Sequence, residues 1–550
     1  MSSDTQTLTQ LYLEYKREFP KYRGQTRYRL VYLAVLVLKN LLKTQLSPRQ
    51  LVELHLELAS LLINETTSLD HAQEIIAKGT LLALENRLDH LRIQLQLLSV
   101  QLLAPLRPKA AIKLAESCYN DSKVLLDPCL VANCGLILIT IRSDLESPLY
   151  SELLTSCPFP QIRALTAILH AFKYLSVGGI QEADKCLKSV DSITSTLEVS
   201  SQLACMRACA GLLVALGYGD PQPVQTSMSA LHSLIEQQKD DGNENWVGWN
   251  ASGTLSVVTD FNSPPITIQW LSKFSIYTLS YLLSGLASFN FGKVKAASKF
   301  FEEGIKLAKN QQNSGLLIPL VFYSTILSFS NSDMQAGHNC IQQLENIASQ
   351  SKGISVQSYV HYLYGIYYQS IKKLDRASEY YLQVINSLKS KVPNNDLSML
   401  ANINLVLING PDSTKESLDM ALEYCRESPS ILLKCVQRII ETAFVIPVSN
   451  QVDHQNLVAD LLKTSSTIQS SQLRSIISYI GSQYASDMES RLKIAQMGFS
   501  EAQRSKNVLW SYLNGSLLEL LLRQYGNLPV ADKQKEINYR LYAQMNSSGL

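Results

Sequence analysis

Residues Tyr277–Asn310 read YTLSYLLSGLASFNFGKVKAASKFFEEGIKLAKN. Tyr281, Gly285 and Ser288 fall at helical spacing, Gly292 opens a short turn, and Ala297, Phe301 and Gly304 fall at helical spacing again. This is the tetratricopeptide pattern, two antiparallel helices in about 34 residues with small side chains where the helices cross closely. Gly285 and Ala297 stand twelve residues apart, the offset at which the two small positions of one hairpin face each other. A single hairpin cannot bury its own apolar face, so copies of it must stack.

The copies are present. Val52–Leu84 carries Leu58, Ala59 and Leu62 on a first helix and Ala72, Ile76 and Gly79 on a second, with one residue inserted relative to the strict spacing. Its turn, NETTSLD, supplies the residue types that cap helices. Ala164–Leu197 repeats the spacing with Ala171, Ala183 and a Gly178-Gly179 turn. Ser358–Lys391 is the closest match, with His361, Gly365, Tyr368, Leu374, Ala377 and Tyr381 in place. Helical periodicity continues through Leu91–Leu103, Pro108–Tyr119, Asp127–Arg142, Leu203–Leu216 and Val224–Gln238. It resumes through Leu317–Phe329, Met334–Ile347, Leu397–Leu407, Thr414–Arg426 and Ile431–Phe444, and again from Leu473 to Gln544. The prediction is an all-α chain, one continuous tetratricopeptide-like α-solenoid of about a dozen helix pairs.

Two stretches interrupt it. Lys239–Pro265 is rich in Gly, Asn, Ser and Pro, has no helical period, and is longer than an ordinary connection. It divides the solenoid into residues 1–238 and 270–550, with 239–269 expected to be an irregular loop. Trp246 and Trp249 in that loop either fold back on the solenoid or anchor a partner. Ile446–His454 is a second, shorter break.

Of the 550 residues, 46% are hydrophobic and only 17% charged, so the chain can bury a large core. The net charge of +2 is too small to argue for nucleic-acid binding by bulk electrostatics. No apolar run approaches the roughly 20 residues that span a bilayer, and Met1–Gln10 does not read as a signal peptide. The ten cysteines are scattered without CxxC or His pairing. They are expected to be buried free thiols in a soluble intracellular protein, with no metal and no cofactor. The eight histidines are far apart, no phosphate-binding glycine loop follows a strand, and no strand is expected to carry one. Nothing in the sequence builds a catalytic site.

Lys16, Arg17, Lys21, Arg23, Arg27 and Arg29 cluster near the start among Tyr15, Tyr22 and Tyr28. The cluster reads either as a contact to phosphates or as a solvated helix end, the latter favoured by Glu14 and Glu18. More informative is the first helix of each hairpin, which in stacked tetratricopeptides lines the concave side. Its inward positions are Leu165, Ile168, Phe172 and Leu175 in one copy, and Leu279, Leu282, Leu286 and Phe289 in the next. In the third they are Tyr359, Tyr362, Ile366 and Gln369. Soluble chains seldom leave a large apolar groove bare. Either a partner segment fills it or the inner faces pack on one another.

Taken in order, these stretches resemble the helical-repeat subunit of the eukaryotic cohesin loader. LASLLINETTSLDHAQEIIAKG resembles that family's first hairpin, and IQWLSKFSIYTLSYLLSGLASFNFGKVKAASKF its central repeat after a loop. SYVHYLYGIYYQSIKKLDRASEYYLQVI followed by ANINLVLI resembles the next, and VLWSYLNGSLLELLLRQYGN the C-terminal repeat. The resemblance implies a non-catalytic nuclear, chromatin-associated subunit that wraps the extended N-terminal segment of a large HEAT-repeat loader protein. Its link to cohesin is indirect, and nothing implies membrane contact or settles direct DNA contact. It also implies a basic and aromatic receptor patch for a phosphorylated centromere protein. Lys293, Lys295, Lys299, Lys306 and Lys309 are the candidates, since ammonium groups suit phosphate; the same lysines also read as a solvated helix face. The competing reading is an adaptor of another multisubunit complex, such as a proteasome-lid, signalosome or chaperone-linked subunit. A carboxylate-clamp groove or C-terminal strands would favour it.

Overall fold

The computed structural model describes residues 3–18, 24–66, 68–142, 144–194, 201–240, 254–257, 266–269, 271, 273–310, 314–331, 333–350, 354–389, 396–445, 451–465, 468, 470–505 and 507–547. Contacts divide the chain into two compact units, Met1–Ala210 with Ser233–Ile276, and Gly211–His232 with Tyr277–Leu550. The boundaries of this division pass through three helices.

The first unit begins with α1 (Ser3–Glu18), α2 (Gly24–Leu41), α3 (Pro48–Glu65), α4 (Leu69–Glu85), α5 (Asp89–Leu103) and α6 (Pro108–Val124). It continues with α7 (Pro128–Ile141), α8 (Pro148–Ser156), α9 (Pro160–Ser176) and α10 (Ile180–Thr194). The division crosses α11 (Ser201–Tyr218), α12 (Pro221–Asp240) and the first turn of α13 (Lys273–Asn290). Sequence signals set the boundaries. Ser47 and Gln50 form a reciprocal capping box at the start of α3. Asp127 caps α7 by accepting from the Cys129 and Leu130 N–H groups at 2.9 and 3.2 Å, with Pro128 in the first helical position. One apolar core runs from Ile93 through Leu136 and Ile162 to Met206.

The second unit comprises α13 from Tyr277 onward, α14 (Val294–Asn310), α15 (Ser314–Ser330), α16 (Met334–Gln350), α17 (Ile354–Ser370), α18 (Leu374–Lys389) and α19 (Asp396–Asn409). Then come α20 (Lys415–Glu427), α21 (Ile431–Ile440), α22 (Gln451–Ser465), α23 (Ser471–Tyr484), α24 (Met488–Ser505), α25 (Val508–Gln524) and α26 (Leu528–Ser547). Within a hairpin the fit is close. A Cβ on Gly285 would stand 2.4 Å from the Phe301 ring, and one on Gly365 would stand 2.5 Å from Tyr381. Both rings are fully buried. These two hairpins therefore close with an aromatic ring of the second helix against a bare glycine of the first, sixteen residues earlier; in α15–α16 the roles are exchanged, Phe329 of the first helix meeting Gly337 of the second.

The turns repeat as well. Lys293 N–H donates to Ser288 O at 2.8 Å and Gly292 N–H to Phe289 O at 2.9 Å; Lys373 N–H donates to Tyr368 O at 2.9 Å and Lys372 N–H to Gln369 O at 3.1 Å. This Schellman geometry needs a left-handed residue, which is Gly292 (φ 66°) in one copy and Lys372 (φ 60°) in the other. A lysine there carries the Cβ penalty that glycine avoids. Lys372→Gly is therefore expected to stabilise the chain by about 0.5–1 kcal/mol after the entropy cost of glycine is subtracted. A urea midpoint that moves down would contradict this account.

Three sequence expectations need correction. The segment expected to be irregular and strand-free contains a two-stranded antiparallel ladder, β1 (Thr254–Val257) with β2 (Ile266–Gln269), Thr254 opposite Gln269. Both are short β-branched runs, TLSV and ITIQ, obscured by the Gly, Asn and Pro around them. The nine-residue α8 went unrecognised because it is too short for its period to register. The break expected at Ile446–His454 is in part helix, since α22 starts at Gln451; 446–450 lie outside the described residues.

Candidate partner-binding surface

The two helices of each hairpin differ in kind. In the second unit α14, α16, α18 and α20 each have one apolar stripe and one polar face. By contrast α13, α15, α17 and α19 are apolar nearly all round, as LLIPLVFYSTILSF in α15 and ANINLVLI in α19 read. A helix apolar on every side must be covered on every side. Within the chain, one side packs on the hairpin partner: Leu282 of α13 lies with Ala297 and Phe301 of α14. A second side packs on the neighbouring first helix: Phe322 of α15 meets Tyr359 of α17 edge-on at 5.2 Å and Tyr362 at 6.2 Å.

Burial sorts the expected inward residues into two groups. Leu165 and Ile168 are fully buried in the first unit's core, and Leu282 and Tyr362 are 7% exposed in cores of the second. Burial pushes the Tyr362 phenol up to about 12, and its hydroxyl accepts from Asn404 Nδ2 at 3.2 Å. These four belong to the packing between helices and cannot line an open groove, which corrects the sequence expectation. The second group keeps some exposure: Phe172, Leu279, Leu286, Phe289 and Ile366 are half-buried, and Tyr359 is 37% exposed. Leu175 is half-buried too, whereas Gln369 is engaged, accepting from the Tyr381 hydroxyl at 2.7 Å. Phe322 of α15, forty residues after Leu282 and forty before Tyr362, is likewise 7% exposed and belongs with them to the buried packing.

The other face of α17 carries a tyrosine stack that sequence reading did not single out. Tyr364 and Tyr368 lie 5.2 and 5.4 Å from Tyr380, and the Arg376 guanidinium stands 5.6 Å over Tyr368. Burial lowers the His361 imidazole beside them, with Glu345 opposing.

The five lysines considered for an anion receptor are all exposed along α14 and its leading turn. Lys306 pairs with Glu303 at 2.8 Å, and Lys293 stands 5.5 Å over the Phe291 ring. Glu302 is exposed on the same helix, so the face is mixed in charge. In the N-terminal cluster Lys16 pairs with Glu57 at 2.5 Å and Arg27 with Glu65 at 2.6 Å, the behaviour of a helix end tied to its neighbour. Lys21, Tyr22 and Arg23, like Trp246 and Trp249, lie outside the described residues.

Buried thiols behave as small hydrophobes. Burial pushes Cys118 and Cys134 up to about 12, and Cys205 and Cys209 are buried side by side on α11. Among the described residues no cluster of histidine, cysteine and carboxylate could hold a metal ion, and no helix is long and apolar enough to cross a membrane. One histidine is placed to report on pH. His170 of α9 stacks on Tyr150 at 3.8 Å, and its Nε2–H donates to Leu145 O at 3.0 Å. Burial holds its pKa below the ordinary 6.5, the hydrogen bond opposing and nearby Lys173 adding. The unfolded chain then takes up this proton first as pH falls. Its contribution is complete above the unfolded value and is lost as pH drops below it. The melting temperature should fall between about pH 7.5 and about pH 5.5, and His170→Gln should flatten that fall.

Three comparisons bear on identity. The chain aligns over 99% of its length with the whole of a chain in the crystal structure of Scc4 in complex with Scc2n, at 13% identity and a TM-score of 0.69. It aligns equally with 98% of a chain in the structure of Scc4 in complex with Scc2n and Ctf19n, again at 13% and 0.69. The APC/C hetero-tetramer Cut9–Hcn1 follows at 10% identity and a TM-score of 0.51, over 98% of this chain and 87% of that one. At such identities the likeness establishes the fold, a tetratricopeptide-like helical repeat. A comparison with curated protein sequences gives no match. The family model described as cohesin loading factor matches residues 24–528, nearly the full length. With that match, on this fold and with these repeats, the chain belongs to the cohesin loading factor family.

Proposed function

We propose that the chain is a non-catalytic scaffold. It holds an extended N-terminal segment of a large helical-repeat loader protein on the face formed by the first helices of its hairpins. In the nucleus it would thereby serve the loading of cohesin onto chromatin. The observation that carries this reading is the contrast between helices. The second helices satisfy their polar faces with water, whereas α13 and α17 present Leu286, Phe289, Tyr359 and Ile366 where no hairpin partner covers them fully. Such a strip recovers hydrophobic free energy when a chain lies along it, about 25 cal/mol per Å² of apolar surface covered. That Scc4 is solved in complex with Scc2n supports the assignment of the occupant. The exposed lysines of α14 carry no comparable argument, because Glu302 and Glu303 dilute their charge.

The test is coexpression with the N-terminal segment of the cognate loader protein, followed by limited proteolysis. Copurification at one-to-one stoichiometry, with the segment protected along its length, is the expected result. A segment that copurifies but is digested at the free rate, or fails to copurify, would overturn the reading.

A further inference from the structure

We propose that the second unit holds a subsite for a single carboxylate, filled by one acidic side chain of the captured partner segment. The site depends on the function proposed above, since its occupant belongs to the segment held there. Hairpins distant in the chain meet at this point: Asn507, at the start of α25, donates through Nδ2 to Ser330 O at the end of α15 at 3.2 Å. Beside that contact the α13–α14 turn, α21 and the N-terminus of α23 enclose a cavity of about 180 Å³. This is smaller than pockets that hold a whole ligand and suits one side chain. Phe289, half-buried on the strip described above, is also part of its wall, so a segment lying along the strip reaches it.

The chemistry follows from Ser470-Ser471-Gln472, which starts the 14-residue α23 and lines the cavity. Ser470 caps the helix, its Oγ accepting from the Leu473 N–H at 3.3 Å. The N–H groups of Ser471 and Gln472 have no acceptor among the described residues, the usual state of first-turn amides that no side chain caps. Ser471 supplies a second, independent signal. It is 7% exposed and lines the cavity, yet its hydroxyl makes no hydrogen bond among the described residues. Burying such a group is unfavourable until something bonds it.

Two amides and a hydroxyl at the positive end of a helix dipole select an anion. The lining has no charged side chain, neither a carboxylate to compete for these donors nor an arginine or lysine to pair with a dianion. Neutral donors at one helix end match the single negative charge of a carboxylate, whereas a phosphate group calls for cations. The source is a side chain because the rest of the wall is apolar: Leu432 and Val436 of α21 can cover the methylene stem of an aspartate or glutamate, which a free ion lacks.

The experiment uses the full chain and the N-terminal segment of the cognate loader protein, each aspartate and glutamate of the segment being changed in turn to its amide. Expected is one position whose amide weakens binding by about five- to thirtyfold. On this chain, Gln472→Glu places a carboxylate in the cavity at the second position of α23, where negative charge favours the helix, so the melting temperature should hold or rise. It should weaken the wild-type segment at least about tenfold, and the amide variant of the segment should be spared that loss. Ser471→Ala should weaken the wild-type segment by about three- to tenfold with thermal stability unchanged, since the hydroxyl has no partner to lose. A segment that binds but tolerates every amide substitution would overturn the subsite and leave the scaffold reading standing. So would equal losses on Gln472→Glu for the acidic and amide segments, which mark a steric effect alone. A segment that fails to bind the wild-type chain would overturn both.

Discussion

Phe301→Ala is expected to cost about 3–5 kcal/mol of unfolding free energy, the largest effect of any single substitution proposed for this chain. The ring is fully buried, lies directly against Gly285, and stands 6.5 Å from Tyr323 of the next hairpin. Its removal empties the contact within one hairpin and weakens the contact to the next. Because each repeat of a solenoid is stabilised mainly by its neighbours, the loss should spread along the second unit instead of fraying a terminus. Urea unfolding followed by circular dichroism checks the magnitude, and limited proteolysis should place the first new cuts in α13–α15. Phe301→Leu, which keeps part of the volume, should cost less than half as much. If Phe301→Ala behaved like a surface substitution, within about 0.5 kcal/mol, the glycine–aromatic closure would not hold the hairpin.

The second large effect concerns binding. Leu286→Asp combined with Tyr359→Asp should weaken capture of the loader segment by at least about thirtyfold, since each places a carboxylate on the strip that the segment is proposed to cover. The choice of residues follows from burial. Leu282, an obvious choice from sequence, packs on Phe301 and is 7% exposed, so Leu282→Asp would report unfolding and not binding. Tyr359 is 37% exposed and Leu286 half-buried, so the helical signal should stay near wild type. Undiminished capture by the double variant would remove the strip from the interface. Reduced capture with a collapsed helical signal would place these residues in the core instead.

Sequence alone determined the hairpins. Gly285 with Phe301 and Gly365 with Tyr381 repeat one spacing because a close helix crossing admits only a glycine opposite a large ring. The positions of the turns were legible for a similar local reason, since the paired hydrogen bonds around Gly292 and Lys372 close within six residues. The family was legible too, through the order of motifs, each of which is weak by itself.

What sequence left open was decided by the stacking angle between hairpins. Periodicity says which face of one helix is apolar, but not whether the next hairpin covers it. Leu165 and Ile168 ended fully buried while Phe172, on the same helix, stayed half-exposed. Local pattern fixes each helix pair through contacts a few residues apart; exposure depends on side-chain volumes that meet only when the pairs are stacked.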